Sequence, residues 1–138
     1  MKDGVQVESI KHELGGTFNI VPFEEMMNPN EWLKSPKYPG ATFLPLDRHW
    51  KLVACFKEEN GIIEDNIYLL NIQDDEVVND MQISLFRYLD LAYKAKCFFS
   101  WQMAYLYPNG FDNEKLRIML PLILPHVKLD LSDFGIRI

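Results

Sequence analysis

From Gly61 to Tyr107 the chain reads GIIEDNIYLLNIQDDEVVNDMQISLFRYLDLAYKAKCFFSWQMAYLY, and this run restricts the fold more than any other. Asn66 to Ile72 is a short apolar stretch of the length and composition of a buried strand. Asp74, Asp75 and Glu76 make an acidic turn after it, and Val77-Val78 offers a short further strand. Ser84 then stands where a helix N-cap belongs, because its hydroxyl can accept from an orphan amide of the first turn. Leu85, Tyr88, Leu89, Ala92, Ala95 and Phe99 share one side of the following helix, and Phe86, Tyr93, Cys97, Trp101 and Tyr105 widen that stripe. The spacing predicts a single helix of about six turns, ended by Pro108-Asn109-Gly110 and apolar enough to be covered on more than one side.

Upstream, Val5 to Leu14 has helical spacing at Val7, Ile10 and Leu14, with Gly15-Gly16 as its stop. Thr17 to Phe23 is expected to be extended. Asn28-Pro29 starts a short helix, with Glu31 near its positive end and Trp32 and Leu33 as anchors, which Pro36 and Pro39 interrupt. Ala41 to Leu46 and Trp50 to Phe56 are two strands around a turn at Asp47–His49. Pro45 marks the first as an edge or bulged strand, and the second is apolar on both faces and so central. Lys57 to Asn66 is a polar connection turning at Asn60-Gly61. Downstream, Asp112 is expected to cap a helix from Asn113 to about Leu124, with Leu116, Met119, Leu120, Ile123 and Leu124 inward and Pro121 kinking it or splitting off its last turn. A final helical turn packs Leu131 and Phe134.

The expected architecture is therefore one α+β domain over residues 1–138. It has an antiparallel sheet of about four strands, short N-terminal helices and two C-terminal helices packed on the sheet. With 48% hydrophobic and 13% aromatic residues the chain can fill a core, and 138 residues suit one domain. Apolar surface around Phe98, Phe99 and Tyr105 is available for a homodimer, the alternative being a monomer.

Net charge is −6, which argues against nucleic acid as a direct partner. The charge is uneven: residues 1–83 hold 7 basic and 15 acidic side chains, residues 84–138 hold 7 and 5. Between positions 58 and 80 lie Glu58, Glu59, Glu64, Asp65, Asp74, Asp75, Glu76 and Asp80, with no Lys or Arg among them. Such a run is either a solvated surface or a docking face for a basic partner. Cys55 and Cys97 sit in apolar runs without metal or redox spacing and read as core thiols of a reducing compartment, the cytoplasm. No apolar run is long enough to span a bilayer, and no signal segment opens the chain.

No catalytic constellation emerges. His12, His49 and His126 are scattered, without ligand spacing. No serine occupies a Gly-x-Ser-x-Gly elbow, and glycines are too sparse for a phosphate loop. Asp74, Asp75, Glu76 and Asp80 lack the central Gly and alternating oxygens of a calcium loop. As turn acids they also have nothing to raise a pKa for glycoside chemistry. The expectation is a protein without catalytic residues, metal or cofactor. Trp50, beside a turn with Arg48 and His49, is the aromatic most suited to half exposure and to contact with a partner.

The run from Phe43 to Leu91 resembles the SUKH superfamily, which includes bacterial immunity proteins and the yeast cell-wall-synthesis regulator. The shared pattern is Phe43-Leu44-Pro45, a turn, the strand Trp50 to Phe56, and Tyr68-Leu69-Leu70-Asn71 leading into an acidic turn at Glu76-Val77. Ser84-Leu85-Phe86-Arg87-Tyr88-Leu89 then opens a helix. Asp47-Arg48-His49-Trp50 stands where such proteins carry an Asp- and Gly-rich turn. The resemblance implies a non-enzymatic binding module, an immunity protein that neutralises a toxin, often a nuclease, by occluding it. Its contact residues would be Glu58, Glu59, Glu64, Asp65, Asp74, Asp75, Glu76 and Asp80 with Trp50 and Arg48, facing a basic toxin domain. A regulatory or scaffold domain for a host protein, and a small-ligand binder, are the other readings.

Overall fold

Asn60 and Gly61 both hold left-handed backbone, with φ 55° and 77°, and together they close a two-residue hairpin. Asn-Gly is the dipeptide best suited to this geometry, because the turn needs positive φ at both central positions. The structure, a computed structural model, describes residues 19–27, 33–73 and 78–137. In it the hairpin joins the middle strands of a four-stranded antiparallel sheet, β1 (Ala41–His49), β2 (Leu52–Glu59), β3 (Ile62–Asn71) and β4 (Val78–Asp80), in that spatial order. The described helices are α1 (Phe23–Met27), α2 (Leu85–Lys94), α3 (Trp101–Leu106) and α4 (Phe111–Ile123), followed by a 3-10 turn at Ser132–Phe134. The fold is α+β. The expected helix over Val5–Leu14, the helix start at Asn28-Pro29 and the acids Asp74, Asp75 and Glu76 lie outside the described residues.

The described residues form two compact units, 19–88 and 89–137. In the first, one face of the sheet buries Leu33, Phe43, Val53, Cys55, Tyr68, Leu70 and Val78, with Tyr38 and Ile72 against them. Tyr38, Phe43 and Tyr68 meet edge to face, their centroids 5.7–5.9 Å apart. The opposite face carries buried Leu52, Ala54, Ile67 and Leu69. Each buried Leu, Ile, Val or Phe contributes roughly 1.5–3 kcal/mol by leaving water. β2 is central, as its two apolar faces require, and β1 is the edge strand that Pro45 predicts, with a bulge between Pro45 and Asp47.

That bulge moves the first turn. The polar run Asp47–His49 does not turn but continues β1, and the chain reverses at Trp50-Lys51 between the paired His49 and Leu52. The extra residue rotates Asp47 onto the face it shares with its partner Ala54. There its carboxylate accepts from the Tyr88 hydroxyl at 2.7 Å and from the Asn19 amide at 3.0 Å. A buried carboxylate is tolerated when its oxygens are satisfied, so three polar residues in a row do not make a turn here. β3 likewise begins at Ile62, not Asn66: what reads as a polar connection is the projecting half of the β2–β3 hairpin. Extension ends earlier than Phe23, which opens α1 instead. Ile20 pairs with Asp47, and the Pro22 carbonyl accepts from the Met26 amide at 2.9 Å.

The expected six-turn helix is two helices. Ser84 caps α2 as predicted, its hydroxyl accepting from the Arg87 amide at 3.1 Å. At the other end Lys96 N–H donates to Tyr93 and Cys97 N–H to Ala92, with Lys96 and Cys97 at φ 53° and 52°. This is a Schellman stop with lysine in the position that glycine usually fills. Ser100, at φ 62°, opens α3. The apolar stripe runs on through the break, which is why its spacing reads as one helix.

In the second unit Leu91, Ala92, Ala95, Phe98, Trp101, Ala104, Leu116, Leu120, Leu131, Phe134 and Ile136 are buried. Phe98 is therefore core and not dimer surface. Asn113 donates from Nδ2 to the carbonyls of Ala104 (3.0 Å) and Phe134 (2.8 Å), tying α3 and the 3-10 turn to α4. Gly110, not Asp112, is the N-cap of α4, and Asp112 lies in the first turn with Glu114, where negative charge suits the helix dipole. Pro121 lies in the last turn, and the helix continues to Ile123. The final turn buries Leu131 and Phe134 as the sequence predicts.

Candidate binding surface on the β2–β3 hairpin

The outer half of the β2–β3 hairpin extends beyond the pair of half-buried Phe56 and buried Ile67, and its residues from Ile62 to Asp65 are all exposed. Opposite Lys57 the register slips, so that Glu58 faces Ile63 and Glu59 faces Ile62. Alternation then sorts the side chains. Glu59, Ile62 and Glu64 share one face with Lys57, around a hollow of about 200 Å³. Glu58, Ile63 and Asp65 share the other, where Phe56, Ile63, Glu64, Asp65, Leu85 and Phe86 line a hollow of about 410 Å³. Ile62 is 64% exposed and Phe86 83%. An aliphatic pair and a phenyl ring thus stand in water among four carboxylates.

The one basic side chain of the hairpin is held inward. Lys57 Nζ lies 5.0 Å from the Tyr38 ring centroid and 5.3 Å from that of Tyr68, and 3.7 Å from Glu59 Oε2. Burial of its ammonium works to lower its pKa. The hydrogen bond and charge interaction with Tyr68, and the charges of Glu59 and Glu64, outweigh that and hold it above the ordinary lysine value. Two of the acids have structural duties: Glu58 Oε1 accepts from the Gly61 amide at 2.7 Å, and Asp65 Oδ1 from the Leu85 amide at 2.8 Å, at the start of α2.

Of the other described residues that the sequence singles out, Asp80, Arg48 and Trp50 do not line these hollows. Asp80 lies on β4, where it accepts from Asn66 Nδ2 (2.7 Å) and the Gln82 amide (2.8 Å), and so belongs to the strand rather than to an acidic turn. Arg48 and Trp50 lie at the opposite end of β2, whose eight residues span roughly 25 Å. Arg48 pairs with Glu25 at 2.8 Å, and Trp50, 66% exposed, has Lys51 Nζ 5.4 Å from its ring. The Ile72 amide donates to the Lys51 carbonyl at 2.8 Å, so β3 ends beside the Trp50-Lys51 turn. Of the described acids from 58 to 80, Glu58, Glu59, Glu64 and Asp65 lie on the hairpin and Asp80 on β4. Ile62 and Ile63 are missing from the sequence-derived set because residues 57–66 read as a polar connection, and Phe86 because it reads as part of the covered stripe of the helix, whereas it is 83% exposed. The signal was present: Asn-Gly followed by Ile-Ile-Glu-Asp is a strand leaving a tight turn.

Among the described residues no group of three His, Cys, Asp or Glu side chains is placed to hold a metal ion, and no helix is long and apolar enough to cross a membrane. Comparison with protein families, curated proteins and solved structures finds no match to this chain.

Proposed function

We propose that the chain is a non-enzymatic protein-binding module of the immunity type, which docks a basic toxin domain of the cytoplasm on the β2–β3 hairpin. The observation that carries this reading is the set Ile62, Ile63 and Phe86, exposed among Glu58, Glu59, Glu64 and Asp65. Apolar anchors provide the desolvated centre of an interface. Carboxylates around them steer a basic partner and set the salt dependence of association. A phosphate-binding enzyme has such a basic face, and the resemblance to SUKH immunity proteins supplies the toxin class.

The two parts separate kinetically. Glu58→Lys, Glu59→Lys and Glu64→Lys together, sparing the helix-capping Asp65, should slow association by about 10-fold or more at low salt and flatten its salt dependence. Ile63→Ala with Phe86→Ala should leave association near normal and accelerate dissociation by about 10-fold or more, as loss of anchors does. The experiment captures partners from native lysate at low and high salt, measures both rates on the purified pair and scores protection of cells that express the toxin. Reversal of Asp74, Asp75 and Glu76 serves as the second arm. Binding and protection untouched by the hairpin variants but lost on that second reversal would move the site to Asp74, Asp75 and Glu76. Indifference to both would refute the acidic docking face.

A further inference from the structure

The larger hollow of the hairpin joins two chemistries. Half-buried Phe56 and Leu85 and exposed Ile63 and Phe86 give it an apolar wall, and Glu64 and Asp65 stand on its border. A regular strand turns consecutive side chains to opposite faces, so two adjacent carboxylates would not line one hollow. Here the register slip brings them together. Ile63 pairs with Glu58 and Ile67 with Phe56, so Glu64, Asp65 and Asn66 all stand opposite Lys57. Extra residues of this kind re-aim side chains. Asp65 is also held in place, because its Oδ1 accepts from the Leu85 amide at 2.8 Å. That bond, with the Arg87 amide donating to the Ser84 hydroxyl at 3.1 Å, occupies amides at the start of α2 that would otherwise draw an anion.

We propose that this hollow receives an arginine side chain of the partner protein. The inference rests on the reading of the hairpin as the face for a basic partner, and the lining selects the occupant. A long cationic side chain buries its methylene stem against Ile63, Leu85 and the two rings while its charged head stays at the carboxylates. Carboxylates alone would suit lysine equally. The phenyl rings favour arginine, because a guanidinium is planar, more weakly hydrated than an ammonium, and stacks on an aromatic face. Its five donors, set in a fixed fork, can also serve both carboxylates at once. A purely apolar side chain would strip water from Glu64 and Asp65 without replacing the lost hydrogen bonds, and an anion would be repelled. The hairpin's own lysine is engaged elsewhere: Lys57 Nζ lies over the Tyr38 and Tyr68 rings and beside Glu59.

Nuclear magnetic resonance of the full chain tests it with three probes at matched ionic strength. They are N-acetyl-arginine methylamide, its lysine analogue, and its citrulline analogue, which keeps the shape of arginine and lacks the charge. The arginine probe should shift the amides of Ile63, Asp65, Leu85 and Phe86 saturably, with a Kd of roughly millimolar order. The lysine probe should bind there about 3-fold or more weakly, and the citrulline probe about 10-fold or more weakly. Phe86→Ala and Glu64→Gln change exposed side chains, so both variants should keep the native spectrum elsewhere. Each should weaken the arginine probe by about 3-fold or more. An arginine probe that leaves these amides unmoved, a lysine or citrulline probe that binds as well, or variants that bind like the wild type overturn the proposal. The probes need no partner, so the two readings fail separately. A hollow indifferent to arginine, with a basic partner still captured on the hairpin, overturns this inference alone. Arginine seated in the hollow, with no basic protein captured, keeps it and overturns the immunity reading.

Discussion

Tyr88→Phe removes one oxygen and leaves the ring in place. Tyr88 is 0% exposed and Asp47 3%, and the hydroxyl donates to Asp47 Oδ2 at 2.7 Å across 41 residues of sequence. Without it the carboxylate keeps the Asn19 amide on its other oxygen and loses the Tyr88 hydroxyl from Oδ2. A hydrogen bond to a charged group is worth roughly 1.5–3 kcal/mol, and burial denies the orphaned oxygen easy replacement by water. We expect a loss of about 2 kcal/mol, seen in urea as a midpoint about 1 M lower if m is near 2 kcal/mol/M. Asp47→Asn removes the charge and, with its oxygen kept for the Asn19 amide, sets an amide nitrogen at the Oδ2 position, from which the Tyr88 hydroxyl oxygen can only accept in a neutral bond. In that background Tyr88→Phe should cost only about 1 kcal/mol, so the double-mutant cycle should return a coupling near 1 kcal/mol. A Tyr88→Phe loss below about 0.5 kcal/mol, or no coupling, would refute the view that this contact is what makes the bulged β1 tolerate a buried acid.

Ser100→Gly should stabilise the chain by about 1 kcal/mol in the same assay, because Ser100 holds φ 62° and its hydroxyl makes no cap bond. In an unbroken helix the substitution would instead cost about 0.5 kcal/mol, so the sign of the change tests the break between α2 and α3. Of the two thiols, half-buried Cys97 should react first with a thiol reagent at neutral pH. Burial pushes the Cys55 thiol well above its ordinary range, so mass spectrometry should find Cys55 labelled only after unfolding; equal labelling of both in the native state would contradict this.

Legibility followed how local each signal was. Asn60-Gly61, the Ser84 cap, Pro45 on an edge strand and the Leu131–Phe134 turn each rest on a few adjacent residues, and each stands where the sequence puts it. The failures have a common cause in partners distant along the chain. Asp47 reads as a turn residue until Tyr88 and Asn19 are beside it. Lys96 and Cys97 are ordinary helix residues, and nothing local announces that the backbone bends left-handed there instead of at a glycine. In α4 nearly every side carries an apolar residue, so periodicity correctly picks Leu116 and Leu120 as core and has no means of showing that Phe111, Ile118 and Leu122 are left outside.

The hairpin acids have a second explanation that the charge reversal also separates. A projecting β-hairpin with Ile62 and Ile63 in solvent invites pairing with other chains, and charged side chains beside such a segment oppose it. Glu58, Glu59 and Glu64 would serve that purpose whatever their sign, since lysine repels lysine as glutamate repels glutamate. Recognition of a basic partner depends on the sign. A triple reversal to lysine that stays soluble and folded yet loses its partner therefore assigns the acids to binding. One that stays soluble and keeps its partner assigns them to the protection of an exposed hairpin. A reversal that aggregates would indicate that the negative charges also hold the hairpin's own geometry, through the Glu58–Gly61 bond at the turn and the Lys57–Glu59 pair beneath it.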